Sequence, residues 1–115
     1  MKIVINADYG GFRLSDEAIR LYLKKKGIGF EEKSSSLFVT DTDFYINNKF
    51  FSNREIKRDD LILIEVVEEL GDSASGKYAD LKVIEIPDDV DWQIEEYDGC
   101  EWIAEKHRTW GWGNE

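Results

Sequence analysis

The first pattern along the chain is a run of apolar, mostly β-branched residues, then a polar turn, then an amphipathic segment. Residues 2–7 are predicted to form a short buried strand. The pair Gly10-Gly11 indicates a turn, since glycine adopts backbone angles that other residues avoid. Ser15 is typical of a helix N-cap, and Gly27 is typical of a helix end. This part of the chain therefore predicts a strand, a turn and a helix.

The next part of the chain predicts further strands. Residues 28–32 are predicted as a strand and residues 33–36 as a loop. The pair Asn47-Asn48 lies between the aromatic segments 44–46 and 49–51, and it favours a hairpin because asparagine tolerates positive φ. Pairing of these aromatic segments between two copies of the chain, as a homo-oligomer, is an open alternative.

The remaining periodic segments predict a second helix and a C-terminal hairpin. Asp59 is predicted as the N-cap of a helix that Gly71 ends, and residues 81–86 as a strand. Asp98-Gly99 between two alternating segments is a strong hairpin signal. It predicts one hairpin face with Ile94 and Ile103 and another with Tyr97, Cys100, Trp102 and Ala104. The fold class is therefore α+β: one domain over residues 1–115 with a mixed β-sheet, two helices and a C-terminal β-hairpin.

Charge divides the chain into two unlike halves. The 115 residues contain 25 acidic and 15 basic side chains, which gives a net charge of −10. Residues 1–58 hold 11 basic and 8 acidic side chains, and residues 59–115 hold 4 basic and 17 acidic ones. Because an acidic half repels phosphates, we do not expect direct nucleic-acid binding. It favours a protein partner with a basic surface, although surface charge also serves solubility alone.

The turn after the first strand is the candidate ligand-binding site. A strand that ends at two glycines before a capped helix can direct backbone N–H groups at a bound anion, and a nearby arginine adds positive charge. The alternative is that the glycines only make a tight connection between strand and helix. The candidate ligand-binding residues are Asp8, Gly10, Gly11, Arg13 and Ser15. An alternative function is therefore that of a small-molecule, sugar-phosphate or nucleotide-binding protein that uses this turn.

Candidate partner-binding residues lie in the last quarter of the chain. Trp110 and Trp112 are flanked by glycines, so they either fold back on the core or dock on a partner. The carboxylates of Asp88, Asp89 and Asp91 supply negative charge beside the predicted hairpin.

The sequence offers little support for catalysis. Cys100 and His107 form the one possible Cys–His pair, and in an extended strand they lie roughly 23 Å apart. We therefore predict no catalytic residue, and we expect no cofactor and no metal. A lone cysteine excludes an internal disulfide, and no apolar run is long enough for a membrane span. These features favour a cytoplasmic protein.

The first 14 residues, MKIVINADYGGFRL, carry a resemblance. They resemble the opening of the ribose-5-phosphate isomerase B and galactose-6-phosphate isomerase family, in which a strand leads to an Asp-His-Gly-Gly-Phe-like turn and a helix. The resemblance implies that Asp8 matches the aspartate of a sugar-phosphate site. Tyr9 stands in place of the family's histidine, and the family's glycine-rich segment with a catalytic cysteine has no counterpart here. We interpret the match as a shared strand–turn–helix arrangement.

A second set of strings is spread over most of the chain: the opening up to Ser15, Arg58-Asp59-Asp60, residues 66–71, residues 74–78, residues 85–90, Tyr97-Asp98-Gly99 and residues 105–110. These strings resemble a group of small uncharacterised bacteriophage and mobile-element proteins. The resemblance implies an accessory protein without an assigned activity. Combined with the acidic half and the tryptophans, it favours binding of a host or phage protein, including antagonism of a host defence.

Overall fold

The chain forms seven strands and two α-helices in the part that the structure describes. The computed structural model describes residues 1–34 and 42–106. Two short 3-10 helices, Asn53–Glu55 and Gly71–Ala74, lie before and after the second α-helix. In chain order the other elements are β1 (Lys2–Asn6), α1 (Asp16–Lys25), β2 (Glu31–Ser34), β3 (Thr42–Ile46), β4 (Lys49–Phe51), α2 (Leu61–Leu70), β5 (Leu81–Glu85), β6 (Trp92–Tyr97) and β7 (Cys100–Glu105).

Helix α1 begins and ends where the sequence predicts. Ser15 is extended, and its Oγ accepts a hydrogen bond from the backbone N–H of Ala18 at 3.1 Å. Acidic residues in the first turn and lysines in the last turn complement the helix dipole. Lys26 is the C-cap, and Gly27 follows in the left-handed region. The buried face consists of Ala18, Ile19, Tyr22 and Leu23.

Helix α2 begins one residue later than expected, because Asp60 rather than Asp59 is its N-cap. One carboxylate oxygen of Asp60, Oδ1, accepts hydrogen bonds from the backbone N–H groups of Ile62 at 2.8 Å and Leu63 at 3.2 Å. Two adjacent aspartates are equivalent caps in a sequence, so only the position of the first turn distinguishes them. The end of the helix at Gly71 is confirmed.

The α+β class, the two helices and the C-terminal hairpin are confirmed, but the expected single mixed sheet is wrong. All strand pairs among the described residues are antiparallel, and they form three small sheets. Strand β1 pairs with β5, β2–β3–β4 form a meander, and β6 pairs with β7. Helix α1 leads away from β1 into the meander, so β1 gains its partner only when β5 returns in the opposite direction.

Both predicted hairpin turns have the backbone conformation that their residues favour. Asn47 and Asn48 have φ of 50° and 66°, and Asp98 and Gly99 have φ of 53° and 91°. Positive φ at both central residues matches the twist of the flanking strands. In the second hairpin Tyr97 is opposite Cys100 and Ile94 is opposite Ile103, so the predicted division into two faces is confirmed.

Strand β2 lies later in the chain than predicted. It spans Glu31–Ser34 instead of residues 28–32, and it includes two residues of the expected loop. Its bounds are set by pairing with β3, in which Glu31 is opposite Tyr45. Ile28 and Phe30 instead pack against the hydrophobic core before the strand begins. The apolar residues Ile28 and Phe30 therefore indicate contact with the core and not the position of the strand.

The hydrophobic core lies between α1, α2, β1 and the connection that joins β1 to α1. Phe12 and Leu14 of that connection belong to the core and are 5% and 2% exposed. Burial of two large apolar side chains fixes the connection on the core. The turn that carries the predicted ligand-binding residues is therefore a well-anchored part of the fold.

The tryptophans divide into two pairs. Trp92 in β6 is half-buried and Trp102 in β7 is 46% exposed, so Trp102 lies largely on the surface. Trp110 and Trp112 lie outside the described residues.

Asp60 also connects the two helices through its second carboxylate oxygen. Oδ2 accepts a hydrogen bond from the Tyr22 hydroxyl at 2.7 Å and lies 3.1 Å from Nζ of Lys26. Burial raises the pKa of Asp60, but hydrogen bonds from Tyr22, Lys26 and the α2 backbone outweigh burial, so its pKa lies below the usual range. A folded-state pKa below the unfolded one means that ionised Asp60 stabilises the fold above the unfolded value. This contribution is lost as the pH falls through the folded value.

We expect Asp60→Ala to lower the free energy of unfolding by about 2 kcal/mol at neutral pH, because a helix cap and a charged hydrogen-bond acceptor are both removed. The difference from the native chain should begin to shrink below the unfolded-state pKa of about 4, and its charge-dependent part should be lost as the pH falls through the lower folded-state pKa of Asp60. Urea unfolding over a pH series measures both effects. Asp59→Ala is the control, with little effect at any pH; a difference for Asp60→Ala that does not change with pH would contradict the role of the charge.

Candidate functional site

The turn between β1 and α1 is held from two sides by the buried side chain of Asn6. Asn6 is 0% exposed, and its Nδ2 donates hydrogen bonds to the carbonyl oxygens of Asp8 at 2.7 Å and Gly99 at 2.8 Å. Its Oδ1 accepts a hydrogen bond from the backbone N–H of Asp80 at 2.8 Å. One side chain thus joins the turn, the tip of the β6–β7 hairpin and the start of β5.

Two glycines let neighbouring segments approach this turn. A Cβ on Gly10 would lie 2.0 Å from the carbonyl oxygen of Tyr78, and a Cβ on Gly99 would lie 2.5 Å from that of Tyr9. Each distance is below van der Waals contact, so neither position has room for a larger residue. Gly10 therefore has a packing reason for its identity in addition to its place in the predicted site.

A pocket of about 310 Å³ lies beside the turn. Hydrogen bonds from three segments build its wall: the Gly76 N–H donates to the carbonyl of Arg13 at 2.7 Å, and the Leu14 N–H donates to Oδ1 of Asn53 at 3.3 Å. These bonds bring the loop before β5 and the 3-10 helix at 53–55 next to the turn. We call this cavity the turn pocket; its lining includes Gly10, Arg13, Asp16, Asp43, Phe50, Arg54, Lys77 and Tyr78.

The turn pocket collects three cationic side chains from three separate segments. Arg13 comes from the turn, Arg54 from the 3-10 helix and Lys77 from the loop before β5. All three are exposed, and Arg54 has no ion-pair partner among residues 1–34 and 42–106. Asp16 and Asp43 line the same pocket, so it also offers carboxylate acceptors.

Tyr78 occupies an unusual position at the pocket. Its φ is 64°, a left-handed conformation that is uncommon for a bulky residue, and its side chain is 70% exposed. The close approach of Gly10 to the Tyr78 backbone is compatible only with a residue that lacks a side chain at position 10. The fold therefore holds an exposed aromatic ring beside the three cations.

Only part of the predicted ligand-binding set faces the turn pocket. Gly10 and Arg13 line it, and a Cβ on Gly11 would lie 3.8 Å from Nη2 of Arg54. The carboxylate of Asp8 accepts a hydrogen bond from the backbone N–H of Tyr9, and Ser15 caps α1 and donates to the carbonyl of Ser73. Asp8 and Ser15 are thus engaged in local structure.

The sequence reasoning missed Arg54, Lys77 and Tyr78. Their positions depend on contacts between segments far apart in the chain, so no local motif marks them. One signal was present: Lys77 is one of only 4 basic residues in an otherwise acidic half, and an aromatic residue follows it directly.

A second unpredicted group holds the β6–β7 hairpin on the body of the protein. Glu101 of β7 pairs with Arg58 through two hydrogen bonds, of 2.5 and 2.9 Å, and accepts a third from the backbone N–H of Asn6 at 2.8 Å. The side chains of Arg58 and Glu101 are 20% and 9% exposed. The Arg58 guanidinium also lies 3.7 Å from the ring centroid of Phe12. This bidentate pair therefore fixes the hairpin against β1 and against the turn.

The outer side of the hairpin exposes aromatic rings among carboxylates. Tyr97 and Trp102 lie on the face opposite Glu101 and are 73% and 46% exposed. The surrounding carboxylates have no ion-pair partner within the described part of the chain. We call this patch the acidic hairpin surface: Glu95, Tyr97 and Trp102 on the outer face, Asp98 at the turn, and Asp89 and Asp91 beside β6.

The predicted partner-binding aspartates are not equivalent. Asp89 and Asp91 are exposed beside β6 and belong to the acidic hairpin surface. Asp88 pairs with the N-terminal amine of Met1, and the hydrogen bond from this amine lowers the pKa of its carboxyl. Part of the charge of Asp88 is therefore already compensated. Trp110 and Trp112 lie outside the described residues.

The remaining candidate groups form no cluster among residues 1–34 and 42–106. Cys100 is a free, half-buried thiol at the start of β7, and His107 lies outside the described residues. Over residues 1–34 and 42–106, no group of three or more His, Cys, Asp or Glu side chains could hold a metal ion. None of the helices in these residues has the length and apolar character to cross a membrane.

Comparison with protein families and structures gives no further guide to the site. No family model, curated protein or solved structure matches the chain. The turn pocket and the acidic hairpin surface are therefore the features of the described residues that bear on function.

Proposed function

We propose that this is a non-enzymatic accessory protein of bacteriophage or mobile-element origin that binds a host or phage protein in the host cytoplasm. The acidic hairpin surface is the proposed contact. The observation that carries the proposal is the exposure of Tyr97 and Trp102 among carboxylates that have no ion-pair partner in the described residues. Exposed aromatic rings are enriched where proteins bind one another, and the charges select a basic partner.

The attachment of the hairpin supports this proposal. The contacts of Glu101 with Arg58 and with the Asn6 backbone leave little freedom for β7 relative to the body. A surface that is already ordered loses less conformational entropy when a partner binds. The hairpin can therefore present Tyr97 and Trp102 without a costly rearrangement.

In its sharper form, the proposal places the acidic hairpin surface on the nucleic-acid-binding surface of a host-defence enzyme. Such surfaces carry the lysines and arginines that contact phosphates. Carboxylates spaced along an extended hairpin can pair with the same side chains and exclude the nucleic acid. The partner should then be displaced by DNA or RNA in competition.

The test compares two variants of equal charge in a pull-down from bacterial lysate at low and high salt. The hairpin variant combines Asp89→Asn, Asp91→Asn and Glu95→Gln. We expect the native protein to retain a basic protein at low salt and release it at high salt, because salt screens charge pairing. The hairpin variant should lose this protein, which mass spectrometry identifies.

The matched control neutralises three exposed carboxylates far from the hairpin: Glu17→Gln, Glu55→Gln and Asp72→Asn. This control should retain the partner as the native protein does. Equal loss in both variants would show that net charge alone causes retention, and capture that does not depend on salt would also contradict the proposal. Tyr97→Ser tests the aromatic contribution, and it should weaken binding at every salt concentration.

A further inference from the structure

We propose that the turn pocket binds a mononucleotide: a small ligand that combines phosphate, sugar hydroxyl groups and an aromatic base. This inference goes beyond partner binding, because the turn pocket and the acidic hairpin surface are built from different residues. The nearest link between them is the packing of Gly99 against the turn. Each of the three ligand groups is matched by a different set of side chains in the pocket.

The positive charge in the pocket matches the phosphate. In a chain with a net charge of −10, Arg13, Arg54 and Lys77 converge on one cavity. Guanidinium groups present a planar set of donors that suits phosphate oxygens, and a lysine adds a compact charge. The hydrogen bonds from the Gly76 N–H to the Arg13 carbonyl and from the Leu14 N–H to Oδ1 of Asn53 hold the three segments together before any ligand arrives.

The carboxylates in the pocket argue against a simple anion. Asp16 and Asp43 line the same cavity as the three cations, so they would repel part of an anion that filled it. Carboxylates are strong acceptors for hydroxyl or amino donors. A ligand that places a phosphate at the cations and sugar hydroxyls at the carboxylates satisfies both groups at once.

The aromatic ring of Tyr78 matches a base. Tyr78 lines the pocket and is 70% exposed, and Nζ of Lys77 lies 5.3 Å from the centroid of its ring. Any of the bases can stack on an exposed aromatic side chain, because every base has a π-face. Tyr78 keeps its position at a left-handed φ of 64°, a backbone conformation that is costly for a bulky residue and tends to cluster at ligand sites.

The size of the pocket favours a small ligand over a polymer. Its volume of about 310 Å³ is at the lower end of the range for small-molecule sites, about 300–1,000 Å³. The acidic half of the chain also disfavours a longer polyanion. The mononucleotide is therefore preferred over an RNA or DNA strand.

The test titrates the full chain with each of the four ribonucleoside monophosphates by calorimetry and by backbone amide NMR at constant ionic strength. We expect at least one nucleotide to bind and to shift the amide signals of Gly10, Gly11 and Gly76. Adenosine, ribose 5-phosphate and inorganic phosphate are the fragment probes, and each should bind at least about tenfold more weakly than the nucleotide. A fragment that binds as tightly as the best nucleotide would overturn the three-part assignment.

Variants locate the binding site. Arg54→Ala and Lys77→Ala should each weaken nucleotide binding by about tenfold, because each removes a charged hydrogen bond to phosphate. Lys57→Ala is the matched control, since Lys57 is exposed and does not line the pocket. Absence of binding by all four nucleotides would overturn the proposal, as would equal affinities in the pocket variants and the control. Thermal unfolding of each variant verifies that it is folded.

Discussion

Glu101→Ala is expected to lower the free energy of unfolding by about 3–5 kcal/mol, since removal of one partner leaves the other as an uncompensated buried charge. Arg58 is 20% exposed and would keep its charge beside the core without the two hydrogen bonds that Glu101 accepts. The backbone N–H of Asn6 would also lose its acceptor. Urea unfolding followed by tryptophan fluorescence measures the effect.

The control for this prediction is Glu105→Ala, which removes an exposed carboxylate from the same strand. Its effect should be within about 0.5 kcal/mol. A combined Arg58→Met and Glu101→Leu variant should recover much of the loss, because it removes both buried charges together. If Glu101→Ala were no more destabilising than Glu105→Ala, the ion pair would not hold the hairpin in place.

Asn6→Ala should cost about 3 kcal/mol, because three partly buried backbone groups lose their hydrogen-bond partner at once. The loss should appear first where Asn6 joins the hairpin tip to the turn. Amide hydrogen exchange should therefore accelerate in β6 and β7 more than in α1.

Asn53→Ala provides the comparison for Asn6→Ala. Oδ1 of Asn53 accepts one hydrogen bond, from the backbone N–H of Leu14 at 3.3 Å, so its removal should cost only about 1 kcal/mol. Equal effects of the two substitutions would contradict the assignment of Asn6 as the link between three segments. An unchanged exchange rate in β6 and β7 would contradict it as well.

The features that local sequence could predict are those that neighbouring residues determine. Ser15 caps α1, and Asp98-Gly99 turns between β6 and β7, because the required backbone angles and hydrogen bonds involve only residues a few positions apart. The same reasoning placed Gly10 and Arg13 at a candidate site, and both line the turn pocket. The prediction of Asp59 as the N-cap of α2 was wrong, because either of two adjacent aspartates satisfies the N-cap preference.

The features that the sequence could not reveal involve distant pairs. Strand β1 pairs with β5 across most of the chain, and nothing in the apolar pattern of either strand specifies that partner. Arg54 and Lys77 come close to Arg13 because their neighbours Asn53 and Gly76 form hydrogen bonds with Leu14 and Arg13. Glu101 meets Arg58 across 43 positions. Periodicity reports which face of a segment is buried, but it does not report what buries it.

The pairing of β1 with β5 has a consequence for the order of folding during synthesis. Helix α1 and the β3–β4 hairpin rest on local contacts, so they can form while the chain is still growing. Strand β1 is made well before its partner β5, which is complete only at Glu85, and the Glu101 carboxylate that accepts from the Asn6 N–H follows later still. Strand β1, in the basic first half, can therefore pair only after the acidic second half has been made. The two halves differ in charge and are synthesised one after the other, but they fold as one unit.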